Sequence, residues 1–515
     1  MIHYVSRMQP AFKVGLVARW VMLLLVASSL AACATRPVNP PVKNVADDKM
    51  YSFERKGQNE AQAKTLVALA FSGGGTRAAA FSYGVLETLN RTEFVNSNGK
   101  KSRMIDHVDV ITGVSGGSFT ALAYGLYGDK LFDQYEQKFL KRNVQSELIA
   151  RSLNPINWGY LSSTGWGRSE LAADLYDEIL FDGATFADLD RKDGPVIAVS
   201  ATDLATGSRI MFTHSNFDAM CTDLGAFRLS RAAAASSAVP VVLSPLTINN
   251  YGGSCGKRMP LWFTPFLNTK NPPRPAARTL ERIQELNALM NGGEPYLHLV
   301  DGGISDNLGL RGGLDVFNWM EALREAGHTT PFDHVQQIVV VVVNSVSTPK
   351  TDWNKSEDPP GTIPILVKAA GVPIDRYSNE QIEYLRDIEA RWNAMRSLRD
   401  LPAIQRISKK NSNAALEAVR KVPNAKIYTI NVSFAGVPDP NERDYLNQLP
   451  TSFVLPDEAV DRLRAAAGAA LLNSPDFQQL LSDVHARIVE EPTTPHFQNA
   501  PEHQEKSPVN IDPGS

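Results

Sequence analysis

A serine stands at the centre of Gly113-Val114-Ser115-Gly116-Gly117, and its flanks give the pentapeptide chemical meaning. Upstream, His107-Val108-Asp109-Val110-Ile111-Thr112 reads as a strand. Downstream, Ser118-Phe119-Thr120-Ala121-Leu122-Ala123-Tyr124 reads as a helix. Strand, G-x-S-x-G and helix in that order are the context of a nucleophile elbow. The glycines let the chain turn sharply enough to lift the hydroxyl clear of the backbone, and the helix N-terminus behind it favours developing negative charge. A second motif, Ser72-Gly73-Gly74-Gly75-Thr76-Arg77, follows the apolar run Leu66-Val67-Ala68-Leu69-Ala70-Phe71 and precedes a helical stretch at 78–90. Its N–H groups, unobstructed by side chains, can point at a carbonyl oxygen as it gains charge. A third, Asp301-Gly302-Gly303, follows Tyr296-Leu297-His298-Leu299-Val300. It puts a carboxylate at a strand's C-terminal end, where ligands bind in open α/β sheets.

Gly73 to Ala78 also fit G-x-G-x-x-A, the signature of a dinucleotide fold. That fold needs an acidic residue at the end of the second strand to hold a ribose, and here the second strand ends in the serine elbow. An oxyanion hole accounts for more of the pattern.

The elements that position these motifs alternate. Strand candidates are 66–71, 107–112, 195–202, 296–300, 335–344 and 426–434; helix candidates are 170–181, 276–290, 312–326 and 379–398. The run Ile338-Val339-Val340-Val341-Val342-Val343 is apolar on both faces, as a central strand between two helical layers is. In the last helix Ile382, Leu385, Ile388, Trp392, Met395 and Leu398 recur at three- and four-residue steps and form a core-facing stripe. The expectation is an α/β, three-layer fold with a mostly parallel central sheet and helices on both faces. The late strand completes this domain rather than starting another.

Taken together, the three motifs resemble the patatin-like phospholipases. Ala201-Thr202-Asp203-Leu204-Ala205-Thr206-Gly207 and Ala235-Ser236-Ser237-Ala238-Val239-Pro240, with Pro245 beyond, are similar to that family too. The resemblance spans 66–345. It departs at Ala78, where the glycine motif often ends in Gly, and at Val114, which replaces a common Thr. It implies a lipid acyl-ester hydrolase of phospholipase A or lysophospholipase type, working through an acyl-enzyme without a histidine. Ser115 is then the nucleophile, Asp301 the proton acceptor, Gly73, Gly74 and Gly75 the oxyanion hole, and Arg77 a brace for that loop. No cofactor or metal is implied. The rival base is a histidine: His328 and His334 follow Asp301 without a motif, and His298 points to the other face of its strand. Rival functions are an acyltransferase using the same acyl-enzyme and a non-catalytic lipid-binding lipoprotein.

Substrate recognition is less legible. Pro155-Ile156-Asn157-Trp158-Gly159-Tyr160-Leu161, Trp166 and Leu261-Trp262-Phe263-Thr264-Pro265-Phe266 put aromatic groups in loop-like settings, suited to an acyl pocket, a lid or plain packing. The expected partner is a phospholipid or lysophospholipid. A net charge of −3 gives no sign of nucleic-acid binding, and 43% hydrophobic residues in 515 suffice for a large core.

The N-terminus reads as an address. Arg7, Lys13 and Arg19 precede an apolar run at 20–32, shorter than the about 20 residues of a membrane span. Leu30-Ala31-Ala32-Cys33 resembles the lipobox of bacterial lipoproteins, which implies cleavage before Cys33 and its acylation. Ala34 in place of aspartate implies delivery to the outer membrane of the cell envelope, facing the periplasm or the outside. The expected organisation is a signal peptide at 1–33, a flexible tether at 34–64, a hydrolase domain at 65–489 with its motif-bearing core at 66–345 and a completing region at 346–489, and a disordered tail at 490–515. Cys221 and Cys255 remain as an even pair in an oxidising compartment and are expected to be bridged.

Overall fold

The computed structural model describes residues 36–43, 64–95, 99–161, 163, 166–191, 194–240, 242–256, 274–325, 330, 333–410 and 414–489. Cys33 and the signal segment, the tail at 490–515, His328 and Leu261 to Phe266 lie outside them.

The strands are β1 (Thr65–Phe71), β2 (Thr92–Val95), β3 (Lys101–Arg103), β4 (Val110–Val114), β5 (Val196–Asp203), β6 (Arg209–Met211), β7 (Leu246–Asn249), β8 (Tyr296–Asp301), β9 (Gln337–Asn344), β10 (Lys426–Ser433) and β11 (Arg487–Ile488). The main sheet has the order β10-β9-β1-β4-β5-β8-β7, with β6 paired to β5. From β10 to β5 it is parallel, and β6, β7 and β8 are antiparallel additions. β2, β3 and β11 form a small separate sheet.

The helices used below are α1 (Thr76–Asn90), α2 (Gly116–Tyr127), α3 (Val144–Leu153), α4 (Pro155–Leu161), α5 (Arg168–Tyr176), α6 (Leu229–Ser236), α7 (Arg274–Asn291), α8 (Gly303–Asp306), α9 (Arg311–Glu325), α10 (Thr362–Arg399) and α11 (Asp457–Leu472). They cover the sheet on both sides because side chains alternate along a strand. In β9, Val339, Val341 and Val343 join one core with α1, α2 and α11, while Ile338, Val340 and Val342 join a second with α9 and α10. The mixed α/β fold with a mainly parallel sheet is the one the alternation implies. β10 is the outer strand of the same sheet, so residues beyond 345 are built into it.

Three expectations need correction. Tyr296 to Asp301 run antiparallel to β5, so the rule for the carboxyl ends of parallel strands does not place Asp301; register does. The helix expected from 379, α10, begins at Thr362, seventeen residues earlier, and carries Pro373 within it. The tether is partly docked. Asn39 is buried and donates to Thr222 Oγ1 (3.1 Å) and Asn249 O (2.9 Å), Val42 N–H donates to Cys221 O (2.8 Å), and Arg36 reaches Thr247 O (3.2 Å) and the Asn249 side chain.

Candidate active site

β1 and β4 are adjacent parallel strands, with Phe71 beside Gly113, so the glycine loop and the serine elbow leave the sheet side by side. On the other flank Val114 pairs with Ser200, and Ala201 pairs with Asp301. Register therefore brings Ser115 level with Asp301, one strand apart. Their side chains close the gap: Ser115 Oγ donates to Asp301 Oδ2 at 2.8 Å.

Ser115 has φ 48° and ψ −120°, a conformation that costs an L-residue on the order of 1–3 kcal/mol. Surrounding contacts hold it there. Its N–H donates to Ser236 Oγ at the end of α6, and its carbonyl accepts from Ser118 N. Gly116 is obligatory for another reason: a Cβ there would lie 2.0 Å from Gly75 O. The elbow and the glycine loop touch backbone to backbone, and only hydrogen fits between them.

Asp301 is 8% exposed. Burial pushes its carboxyl up to about 6, against the opposing pull of hydrogen bonds from Gly303 N–H (2.7 Å to Oδ1) and Ser115. Its own N–H donates to Ala238 O and that of Gly302 to Ser236 O, so α6 and the chain just after it hold both members of the pair. A carboxylate near neutrality, bonded to a strained serine hydroxyl, is chemically a base next to a nucleophile.

The glycine loop is arranged less uniformly than expected. Gly73 N–H already donates to Asn307 O at 2.8 Å, so in this geometry it is not free to serve an oxyanion. The N–H groups of Gly74 and Gly75, which turn through φ 142° and 62°, have no acceptor among the described residues and remain as donors. Arg77 is buried and donates to Ser345 O (2.9 Å), Leu449 O (2.7 Å) and Thr451 Oγ1 (3.1 Å). Burial lowers its guanidinium to about 10, and one of its terminal nitrogens would lie 3.0 Å from a Cβ on Gly74. It ties the loop to chain far beyond the motifs. Thr76 N–H makes the same link, donating to Ser452 O at 2.8 Å.

Sequence reading gave no role to Ser236, Asn307, Ser345 or Leu449. Ser236 stood in a quoted family-like segment; the others act largely through backbone atoms, which carry no residue signature. His298 is exposed and bonded to Thr247 Oγ1, while His334 carries no bond to Ser115 or Asp301. Pro155 to Leu161 form a helix rather than a loop, with no buried side chain. Beside it lies an open cleft of about 550 Å³ lined by Asn154, Asn157, Tyr160, Trp166 and Leu171, not by the Ser115–Asp301 pair. Cys221 and Cys255 are bridged, with Cα atoms 5.6 Å apart.

The fold and the site define an α/β protein with a serine–aspartate pair at a strand–turn–helix elbow. Residues 69–313 match the family model described as "Patatin-like phospholipase", and the chain carries a patatin-like phospholipase domain over that span. Among solved structures, human GIVD cytosolic phospholipase A2 aligns with 13% identity and a TM-score of 0.43, over 88% of this chain and 66% of its own. VipD from Legionella pneumophila aligns with 13% identity and a TM-score of 0.26, over 90% of this chain and 74% of its own. The type III effector protein ExoU aligns with 17% identity and a TM-score of 0.20, over 70% and 78%. This chain therefore spans just under two thirds of the phospholipase A2 structure. No curated protein matches it.

Proposed function

We propose that the protein is a lipid acyl-ester hydrolase of phospholipase A or lysophospholipase type. The observation that carries this reading is the 2.8 Å hydrogen bond from Ser115 Oγ to Asp301 Oδ2, with the serine in an elbow and the carboxyl lifted to about 6. Asp301 takes the Ser115 proton as Oγ bonds to the ester carbonyl carbon. The carbonyl electrons move onto oxygen, and the N–H groups of Gly74 and Gly75, at the start of α1, are the donors placed to meet that charge. Collapse of the adduct breaks the ester C–O bond, and Asp301 returns the proton to the departing alcohol or lysolipid. Water then attacks the acyl-enzyme, giving one proton to Asp301; the fatty acid leaves and Ser115 Oγ recovers the proton. Arg77 takes no part in proton transfer: it keeps the loop in place.

We also propose that Cys33 is acylated and holds the mature protein on the outer membrane, where its substrate lies. A lipid-hydrolysis screen comparing wild type with Ser115→Ala tests the activity. Release of fatty acid by the wild type alone supports the reading, and equal release by a folded Ser115→Ala protein refutes it.

A further inference from the structure

The first third of α10 is anomalous for a surface helix. Every described side chain from Thr362 to Ala370 is exposed, including Ile365 at 44% and Leu366 at 63%, and Val372 and Pro373 are exposed as well. Yet residues 359–374, Pro-Gly-Thr-Ile-Pro-Ile-Leu-Val-Lys-Ala-Ala-Gly-Val-Pro-Ile after Pro359, hold a single charge, Lys368. Among the described side chains, the core contacts of this helix are made further along, by Ile382, Leu385, Ile388 and Trp392. An apolar helix belongs in an apolar medium, and the described side chains of this stretch are open to solvent instead.

Its place is as telling as its composition. Just beyond the arm, Asp375 is near enough to Arg77 to act on its charge, and Arg77 braces the glycine loop. Two turns on, Gln381 lies beside Asp306, which closes the turn after Asp301. The helix thus runs past both loops of the Ser115–Asp301 site and projects its apolar end outward from them. Ile304, three residues from Asp301, is exposed as well.

We propose that residues 362–373 are an apolar arm that enters the surface of the lipid on which the enzyme works and holds the catalytic mouth against it. This rests on the lipid-hydrolase reading above. At about 1.5 Å per residue the arm is roughly 18 Å long, too short to cross a bilayer but long enough to lie in its interface. No helix among the described residues is long and apolar enough to cross a membrane. Lys368 can reach back to the headgroups while its stem stays in the apolar layer.

A lipid on Cys33, as proposed above, would bring a membrane to this side of the molecule. Arg36 to Val42 are fastened to the β7 edge and to the Cys221 carbonyl. Cys33 stands three residues ahead of Arg36, so its reach from that edge is at most about 11 Å. Asn249 and Tyr296, which pair at the end of the β7–β8 ribbon, lie beyond the level of Asp203, past the carboxyl ends of the parallel strands. Ser115 and the glycine loop leave the sheet at that same edge. A lipid on Cys33 would therefore bring the membrane to the side of the molecule from which the arm projects.

The test uses the mature polypeptide carrying Cys33→Ser, which removes the lipid and leaves no free thiol once Cys221 and Cys255 are bridged. An environment-sensitive fluorophore on Leu366→Cys reports the arm's surroundings with vesicles of phosphatidylethanolamine and phosphatidylglycerol. Blue-shifted, brightened emission is expected on binding. The double variant Ile365→Asp/Leu366→Asp should bind vesicles about tenfold or more weakly, the effect of removing two apolar groups from the interface. Its cleavage of vesicle lipid should fall in proportion, while cleavage of a short soluble ester stays at the wild-type rate. An unmoved fluorophore together with unchanged vesicle binding overturns the proposal. So does a fluorophore that answers to protein concentration alone, with the double variant abolishing a dimer in sedimentation and binding vesicles normally; the arm would then serve a second copy. The fluorophore is read in Ser115→Ala as well, so the arm is judged even if no ester is cleaved, the result that would defeat the hydrolase reading instead.

Discussion

Asp301 joins a cost in stability to the role of base in the proposed reaction. Its carboxyl is raised above its ordinary value by burial, so the folded chain holds that proton more tightly than the unfolded chain does. Its contribution to stability is therefore full below pH 4 and is lost as pH rises through about 6. Asp301→Asn removes the ionisation but keeps an oxygen for Gly303 N–H and offers an amide to Ser115 Oγ. At pH 8 the variant should be inactive yet more stable than wild type, by on the order of 2–3 kcal/mol, with the difference fading below pH 4. Denaturant melts at the two pH values measure this, and a gain independent of pH would contradict it. Ser115 and Asp301 were legible because each sits in a short motif with its own backbone demand. That the Gly73 N–H is already engaged was not legible, since it goes to the carbonyl of Asn307, and any residue there offers the same carbonyl.

Elements decide how close the reacting groups come. The contact between Gly116 and Gly75 leaves no room for a methyl group, so Gly116→Ala should force the glycine loop and the elbow apart. A displacement near 1 Å at a catalytic centre costs about 100-fold in rate, and ester hydrolysis should fall by at least that much. Crystallography of the variant with unchanged activity would show that the contact does not matter. The Cys221–Cys255 bridge acts at the same scale: it closes 34 residues that include α6, whose Ser236 holds both Ser115 and Gly302. In the chain-entropy model it contributes about 4 kcal/mol, so Cys221→Ser/Cys255→Ser should melt well below the wild type. An unchanged melting temperature would place the bridge outside the stable core. Strands and helices were readable wherever one face met the core and left a period, as in β9 and in α10 from Ile382 onward. The described side chains at 362–370 are all exposed, and Gly371 and Pro373 read as breakers, so the helical state of this stretch left no trace in the pattern.

At the scale of the whole molecule, the C-terminal chain finishes what the motifs begin. β9 and β10 lie outside the matched span 69–313, yet β9 pairs with β1 along its whole length, and Leu449 and Thr451 hold Arg77. Long-range partners of this kind use backbone carbonyls, so the sequence announces the strands but not which loop they support. The antiparallel turn of β8 was equally hidden, because an apolar run reads the same in either direction. The docking of Arg36 to Val42 predicts that a lipidated protein sits close to its membrane. Cys33→Ser should block acylation and leave the protein with an unprocessed or soluble N-terminus, as mass spectrometry of the N-terminus and fractionation will show; an unlipidated N-terminus elsewhere in the wild type would end that reading. The proposed hydrolysis turns on Ser115 being made nucleophilic by Asp301. The direct measurement is the site and rate of covalent labelling by a long-chain alkyl fluorophosphonate, read by mass spectrometry across pH. The prediction is one adduct, on Ser115, forming at a rate that rises with pH through about 6 as Asp301 ionises and that drops by several orders of magnitude in Asp301→Asn. Labelling of another residue, or undiminished labelling of Ser115 in Asp301→Asn, would contradict it.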